Sequence, residues 1–259
     1  MIHPAAIVDP KAHIGSDVCI GPYTVVEGAV HVGPDSKIYN NVFLSGDTIL
    51  GSGCIVHPFC SIGHFPQDVS FRTEISSGVR IGDGCEFREG VTVHRSAAEG
   101  GMTRIGSGVY IMTGGHVGHD VAIEDRVTMA NCTHLAGHAR VEQGAILSGN
   151  ISVHQHVRIG AFSMVSASSF LNQDLPPYFI AFGIPAVVAG VNSVGLRRNG
   201  FDSDARARIK QVFRVLYREG HTVQCALDLL GSLDGPEAKA VLGFVRGSKR
   251  GILSGRKRR

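Results

Sequence analysis

Histidine is the residue type of this chain best suited to chemistry. More than half of the thirteen histidines fall in the middle third of the sequence, where His116 and His119 precede Asp120. A neutral imidazole takes a proton from a hydroxyl near neutral pH, and a neighbouring carboxylate fixes its tautomer or stabilises the imidazolium. Imidazoles such as those of His116, His119, His134 and His138 also bind zinc. The histidines therefore indicate either general-base catalysis or a metal site.

A six-residue repeat decides where these side chains lie. An apolar residue recurs every six positions from Val8 to Ile62, from Ile81 to Val93 and from Ile105 to Leu171. A period of six matches neither an α-helix nor an amphipathic strand, and is typical of parallel β-helices. Three hexads form one triangular coil, and stacked coils bury the apolar positions in a continuous core. The repeat resembles that of the hexapeptide-repeat acyltransferase superfamily, which implies left-handed coils and a homotrimer.

Two segments interrupt the repeat, at 63–79 and 94–103, and we predict that they leave the coils as loops that help to build a binding face. The predicted organisation is an all-β left-handed parallel β-helix domain, residues 1–178, followed by a connector and C-terminal α-helical cap, residues 179–259. Turn and capping residues predict three helices in the second part, at 202–220, near 222–231 and near 236–247.

The 18-residue coil also predicts which polar side chains are stacked. Residues 18 positions apart fall in one column, and three columns follow: His116 under His134; Asp120 under His138 and His156; and His119 under Gly137 and Gln155. The glycine leaves room between two polar side chains. These columns, with His154, gather the histidines into one small surface region.

From residue 1 to about 220 the chain resembles the bacterial UDP-N-acetylglucosamine O-acyltransferases, which begin lipid A synthesis and use acyl carrier protein as donor. The stretches that carry the resemblance are Gln67-Asp68, VTVHRSAAEGG (91–101), GHVGHD (115–120), LAGH (135–138), VHQ (153–155), QDLPPYFIAFG (173–183) and VNSVGLRRNGF (191–201). They lie in the family's order and are more diagnostic than the hexads.

The resemblance implies a role for each matching residue. His119 is expected to be the general base that deprotonates the sugar 3-hydroxyl, with Asp120 supporting it. The expected substrate-binding residues are Gln67, Asp68, His116, His138, His154, Gln155, Ala167 beside the acyl pocket, and Asn192 with Arg198 on the nucleotide or pantetheine phosphates. The expected co-substrate is a (3-hydroxy)acyl thioester on the phosphopantetheine of acyl carrier protein, with a UDP-amino sugar as acceptor. The resemblance implies neither a cofactor nor a resident metal. It also implies that the site lies between two subunits.

The chain departs from the family at several positions. Ser70 stands where the family typically has lysine, Pro185 where it has histidine, Val194 where it often has an acidic residue, and Asn199 where it has a second arginine. These departures leave open whether the acceptor carries a 3-hydroxyl or a 3-amino group. Ala167, where the family often has glycine, leaves the acyl chain length open.

The same fold is compatible with two further hypotheses about function. A zinc-dependent hydratase is one, although the related zinc enzymes space two histidines five apart, which does not occur among His116, His119, His134 and His138. A non-catalytic scaffold is the other. An assay and metal analysis distinguish both from the acyltransferase.

Composition indicates a cytoplasmic protein. The six cysteines are scattered without a C-x-x-C pair, the N-terminus lacks a signal peptide, and no apolar stretch is long enough to insert in a membrane. The net charge of +3 is mild, and we expect no nucleic-acid partner. Basic residues crowd the last eleven positions, from Lys249 to Arg259. They form either a solvated tail or a surface for an acidic partner.

Overall fold

The structure is a computed structural model that describes residues 1–256. Its first part is the left-handed parallel β-helix expected from the hexads, with three sheets that form the faces of a prism. The first sheet contains β1 Ile7–Val8, β4 Val25–Val26, β7 Phe43–Leu44, β10 Ser61–His64, β13 Thr92–His94, β16 His116–Val117, β19 His134–Leu135, β22 Ser152–Val153 and β25 Phe170–Leu171. The second contains β2 His13–Ile14, β5 His31–Val32, β8 Asp47–Leu50, β11 Gly78–Ile81, β14 Met102–Ile105, β17 Ala122–Ile123, β20 Arg140–Val141 and β23 Arg158–Ile159. The third contains β3 Cys19–Ile20, β6 Lys37–Ile38, β9 Ile55–Val56, β12 Glu86–Phe87, β15 Tyr110–Ile111, β18 Thr128–Met129, β21 Ile146–Leu147, β24 Met164–Val165, β26 Phe179–Gly183 and β27 Ala186–Val191.

The strand register confirms the 18-residue coil. His116 pairs with His134, and the same offset recurs throughout the regular coils. The two insertions lengthen single coils without disturbing the register: Leu50 pairs with Ile81, 31 positions on, and Ile81 pairs with Ile105, 24 positions on. The insertions therefore add 13 and 6 residues, and the coils above them resume the same stacking.

The apolar hexad positions fill the interior. Leu44, Ile62, Phe87 and Leu135 are each 0% exposed. Burying such a side chain contributes roughly 1.5–3 kcal/mol to folding. In the first coil Val8 is only half-buried, because no coil lies beneath it.

Both insertions leave the prism at one edge. Strand β10 ends at His64 and β11 begins at Gly78, while β13 ends at His94 and β14 begins at Met102. The chain between strands is thus 65–77 and 95–101, slightly shorter than expected because the flanking strands extend. We name these segments loop 1 and loop 2. Both loops connect the first sheet to the second, so they leave the prism at the edge between these two sheets. We name this edge the first edge.

The C-terminal part covers the last coil. Four helices are present in the described residues: α1 Ser193–Arg198, α2 Ser203–Tyr217, α3 Val223–Gly231 and α4 Pro236–Arg246. The last three confirm the expected helices, and Asp202 caps α2 by accepting a hydrogen bond of 2.7 Å from the Ala205 amide. Strand β26 pairs with β24, so the third sheet continues past residue 178. The domain boundary at that residue stays a prediction.

Among residues 1–256 there is no helix with the length and apolar character needed to span a membrane. Part of the basic C-terminal tail, Lys257, Arg258 and Arg259, lies outside the described residues. The role of the tail and the cytoplasmic location stay predictions.

Candidate active site

A column of left-handed residues lies on the first edge above loop 2. Asp120, His138 and His156 have φ angles of 60°, 61° and 63°. Each residue turns the chain between two sheets, and Asp and His tolerate this conformation better than β-branched residues do. The rings of His138 and His156 are stacked, with centroids 4.6 Å apart. The column expected from the 18-residue period is therefore confirmed.

His119 and Asp120 form a hydrogen-bonded dyad beside this column. Nδ1 of His119 lies 2.8 Å from Oδ2 of Asp120, and the two side chains are 13% and 16% exposed. Because an ionised carboxylate only accepts hydrogen bonds, Nδ1 carries the proton and Nε2 keeps a lone pair. In the part of the chain that the structure describes, Nε2 makes no hydrogen bond. The dyad therefore presents a base at Nε2.

Gly137 provides the space for this ring. A Cβ atom at position 137 would lie 2.5 Å from Nε2 and 2.6 Å from Cε1 of His119. The glycine has no left-handed φ angle, so space, and not backbone conformation, requires it. The structure confirms that Gly137 leaves room for His119, while the expected space beside Gln155 stays a prediction.

Hydrogen bonds keep Asp120 ionised. Burial by itself would raise the pKa of Asp120, but donation from the Ser96 hydroxyl, from His119 and from the Ala97 amide outweighs it, so the pKa is below its ordinary value. The Ala97 amide lies 3.1 Å from Oδ2, and Ser96 donates to Oδ1. At neutral pH the carboxylate is an anion that can stabilise an imidazolium on His119.

The same surroundings favour a dyad over a zinc site. His119, Asp120 and His138 offer ligand atoms within 4.8 Å of one another, and Nε2 of His138 is 3.9 Å from Oδ2 of Asp120. Both carboxylate oxygens, however, already accept hydrogen bonds from loop 2 and His119. Both lone pairs of Oδ2 and one of Oδ1 are thus engaged, so a zinc ion on Oδ2 would have to displace His119 or the Ala97 amide.

A groove on the first sheet begins at this edge. Its volume is about 510 Å³, and its lining is His116, His134, Ala136, Ser152, Val153, His154, Gln155 and Phe170. Three of the expected substrate-binding residues, His116, His154 and Gln155, thus share one groove. A larger cleft of about 820 Å³ lies across the edge on the second sheet, and His138 and Asp120 line it. Asp120 of the dyad thus faces this cleft, while His119 lines neither cavity.

His116 is held neutral at the groove floor. Burial, with smaller effects of His94 and His134, lowers the pKa of His116 to about 4. Its Nδ1 lies 2.8 Å from Oγ1 of Thr92. A neutral imidazole can donate to or accept from a substrate at physiological pH.

Acidification is expected to destabilise the fold partly through His116. The folded pKa of about 4 lies below the ordinary 6.5, so the unfolded chain binds the extra proton first. The stabilising contribution is present above about pH 6.5 and is lost toward pH 4, by roughly 1–2 kcal/mol after solvent screening. Urea unfolding at pH 7 and pH 4.5 measures this. Between pH 7 and pH 4.5 the free energy of unfolding should fall less in His116→Gln than in the native chain. In the exposed control His13→Gln it should fall by the native amount. Equal falls in all three proteins would contradict the assignment.

Loop 1 brings Asp68 toward the dyad. Oδ1 of Asp68 accepts hydrogen bonds from the Ser70 amide and hydroxyl, at 2.8 and 2.7 Å. These bonds, with a smaller effect of nearby His119, hold the pKa of Asp68 below its ordinary value. Ser70, which replaces the family's lysine, thus orients Asp68. Gln67 is exposed beside it.

Three expected residues lie away from His119 in the single chain. Asn192 caps α1 through a 3.2 Å bond from the Gly195 amide, and its Nδ2 donates to the Phe162 carbonyl. Phe162 lies between β23 and β24, so Asn192 and the exposed Arg198 stand at the edge between the second and third sheets. Ala167, between β24 and β25, stands at the remaining edge. Their roles stay predictions.

The sequence reasoning missed the contacts of loop 2. Ser96 and Ala97 of loop 2 both donate to the Asp120 carboxylate, and Thr103, in the adjoining strand β14, accepts from the Asp120 amide at 2.9 Å. Ser96 lies in the VTVHRSAAEGG stretch, to which the resemblance assigns no catalytic or binding role. A signal existed: Ser96 precedes Asp120 by 24 positions, the offset at which Thr92 pairs with His116.

Comparisons with known proteins identify the family of the chain. Residues 174–253 match a family model described as UDP N-acetylglucosamine O-acyltransferase, domain 2. A curated acyl-[acyl-carrier-protein]–UDP-N-acetylglucosamine O-acyltransferase from Thermodesulfovibrio yellowstonii is 39% identical, over 97% of this chain and 98% of its own. One of the same name from Syntrophobacter fumaroxidans is 40% identical, over 97% and 99%. The crystal structure of a UDP-N-acetylglucosamine acyltransferase from Bacteroides fragilis superposes with a TM-score of 0.94 at 35% identity, covering 98% of this chain and 100% of that one.

Proposed function

The chain belongs to the UDP-N-acetylglucosamine O-acyltransferase family, and we propose that His119 is the base of its reaction. The reaction moves a (3-hydroxy)acyl chain from acyl carrier protein to the 3-position of UDP-N-acetylglucosamine, the first step of lipid A synthesis. The observation that carries the role of His119 is the 2.8 Å contact of its Nδ1 with Asp120, which leaves Nε2 free above Gly137.

The proposed chemistry requires one base that later acts as an acid. Nε2 of His119 takes the proton of the sugar 3-hydroxyl while the oxygen attacks the thioester carbonyl carbon. The anionic Asp120 stabilises the resulting imidazolium. The tetrahedral intermediate then collapses: the carbon–sulfur bond breaks, the imidazolium returns its proton to the departing sulfur, and an ester and a free pantetheine thiol remain. No cofactor enters these steps, because the acyl carrier protein thioester is the co-substrate.

The groove on the first sheet suits the substrates. Ala136 and Phe170 provide an apolar surface for an acyl chain, while His116, His154 and Gln155 provide polar groups for a sugar. Asp68 reaches the same region from loop 1. We place the sugar at the first edge and the acyl chain along the first sheet.

A homotrimer would complete the site. Within one chain, Arg198 and Ala167 stand on prism edges other than the edge of His119. Rotation about a threefold axis can bring an edge of one subunit against a different edge of its neighbour. We therefore propose that a neighbouring subunit supplies Arg198 for the nucleotide phosphates and that the monomer is inactive. The six free cysteines in the described residues favour a reducing compartment, and we propose that the enzyme works in the cytoplasm.

Mixing two inactive variants tests the shared site. His119→Ala and Arg198→Ala should each lower activity strongly when assembled alone. Trimers refolded from an equal mixture should regain about a quarter of native activity, because one site in four then takes both native residues from different chains. No recovery, with trimers confirmed by light scattering, would show that each chain uses its own Arg198.

An assay with purified native protein tests the function itself. Acyl carrier protein loaded with 3-hydroxyacyl chains of several lengths is mixed with UDP-N-acetylglucosamine, and the product is identified by mass spectrometry. We expect an acylated sugar nucleotide carrying an ester. A 3-amino analogue of the sugar nucleotide serves as competing acceptor, and exclusive amide formation would overturn the proposed acceptor. Absence of transfer to either would overturn the function.

A further inference from the structure

Loop 2 does more than fill space beside the dyad. Its second residue, Ser96, is 0% exposed, and the Ser96 hydroxyl donates to Oδ1 of Asp120. The Ala98 amide donates to the same hydroxyl oxygen at 3.1 Å. Because an ionised carboxylate can only accept, the Ser96 hydroxyl must direct its hydrogen at Oδ1 of Asp120.

The surroundings of Ser96 fix its position. The Ser77 hydroxyl donates to the Ser96 carbonyl at 2.6 Å, which joins loop 2 to the residue before β11. A Cβ atom at Gly101 would lie 2.1 Å from the Ser96 hydroxyl oxygen, so only glycine at position 101 leaves room for this hydroxyl. Hydrogen bonds and the close approach of Gly101 therefore restrict the position of the Ser96 hydroxyl.

Loop 2 donates to both oxygens of the Asp120 carboxylate, and His119 bonds to one of them. Ser96 occupies Oδ1, whereas Oδ2 receives His119 at 2.8 Å and the Ala97 amide at 3.1 Å. Without Ser96, the carboxylate can rotate about its terminal torsion, which is a soft one. Thr103 holds only the backbone amide of Asp120.

We propose that Ser96 is a positioning residue of the acyl transfer site, whose buried hydroxyl keeps the Asp120 carboxylate in line with Nδ1 of His119. The proposal rests on the proposed function, since it assigns Ser96 to the same dyad. Ser96 does not reach the reacting atoms and acts through Asp120.

The variant Ser96→Ala tests this role in the full-length enzyme. We expect kcat to fall about tenfold, with KM for UDP-N-acetylglucosamine within about twofold of native. The acid limb of kcat/KM should also move to higher pH. Without the Ser96 donor, the negative charge of Asp120 is less dispersed and stabilises an imidazolium on His119 more strongly. His119 should therefore stay protonated to a higher pH in this variant.

Ser36→Ala is the matched control. Ser36 is 1% exposed, donates to the Gly51 carbonyl and accepts from the Cys54 amide, both at 3.1 Å, in coils below the insertions. It should leave kcat and the pH profile unchanged. Should Ser96→Ala fold poorly, Ser96→Cys keeps the volume with a weak donor and should show the same loss. A native kcat in both Ser96 variants, or an equal loss in Ser36→Ala, would overturn the proposal.

A second measurement is independent of turnover. Diethyl pyrocarbonate reacts with neutral imidazole, and mass spectrometry of the His119 peptide follows this reaction against pH. The midpoint should move upward in Ser96→Ala and stay in place in Ser36→Ala; an unmoved midpoint in Ser96→Ala overturns the positioning role. If the native chain transfers no acyl group, the proposed function fails, yet this experiment still decides the role of Ser96.

Discussion

Replacing His119 by alanine is expected to lower kcat for acyl transfer about a thousandfold. A positioned base contributes between about a hundredfold and ten-thousandfold to such a reaction. Nε2 of His119 lies beside Gly137 and makes no hydrogen bond within residues 1–256. The KM for UDP-N-acetylglucosamine should change little, because the base acts mainly in the transition state. Initial rates with acyl carrier protein thioester measure both constants.

A histidine far from the site gives the control for this prediction. His13 lies on the second sheet in the first coil and stacks on His31, with centroids 4.5 Å apart. His13→Ala removes the same side chain from an exposed ladder and should keep native kcat. If His119→Ala retained more than about a tenth of native activity, His119 would not be the base.

Gly137→Ala is expected to lower kcat about a hundredfold by adding one methyl group. The new Cβ atom would lie 2.5 Å from Nε2 of His119, and nearby backbone cannot yield that much. The ring must turn away, which breaks its alignment with Asp120 and with the sugar. Displacement of a catalytic group by about 1 Å can cost a hundredfold in rate.

This loss should occur without unfolding. Position 137 has no left-handed φ angle, so alanine suits its backbone. Gly149→Ala is the control, since its nearest neighbour would be the Asn131 carbonyl at 3.4 Å, an ordinary contact. We expect both variants to melt within a few degrees of native and only Gly137→Ala to lose activity. Native activity in Gly137→Ala would show that His119 does not work in the observed orientation.

Periodicity predicted the regular part of the site correctly. A constant offset of 18 residues places His116 under His134, Asp120 under His138, and Gly137 beside His119, and the structure has each of these neighbours. In a solenoid, side-chain neighbours follow from the coil length alone. The stacked neighbours of His119 and Asp120 could thus be predicted without any structure, while their catalytic roles rest on the resemblance.

The irregular part could not be predicted in this way. The breaks in the hexads give the number of residues that loop 1 and loop 2 add, but not the path of either loop. The hexads alone therefore do not show the contacts of Ser96 with Asp120 and of Asp68 with Ser70. Helix α1 has only six residues, too few for a periodic pattern. Asn192, expected on a phosphate from the resemblance, caps this helix with its side chain.

A crystal structure with UDP-N-acetylglucosamine bound tests the central claim most directly, which is that Nε2 of His119 is the base. We expect the sugar 3-hydroxyl oxygen within about 3 Å of Nε2, with Nδ1 still on Asp120 and the glucosamine ring at the first edge above loop 2. A nucleotide bound with its 3-hydroxyl facing another group, and His119 more than about 5 Å away, would contradict the claim.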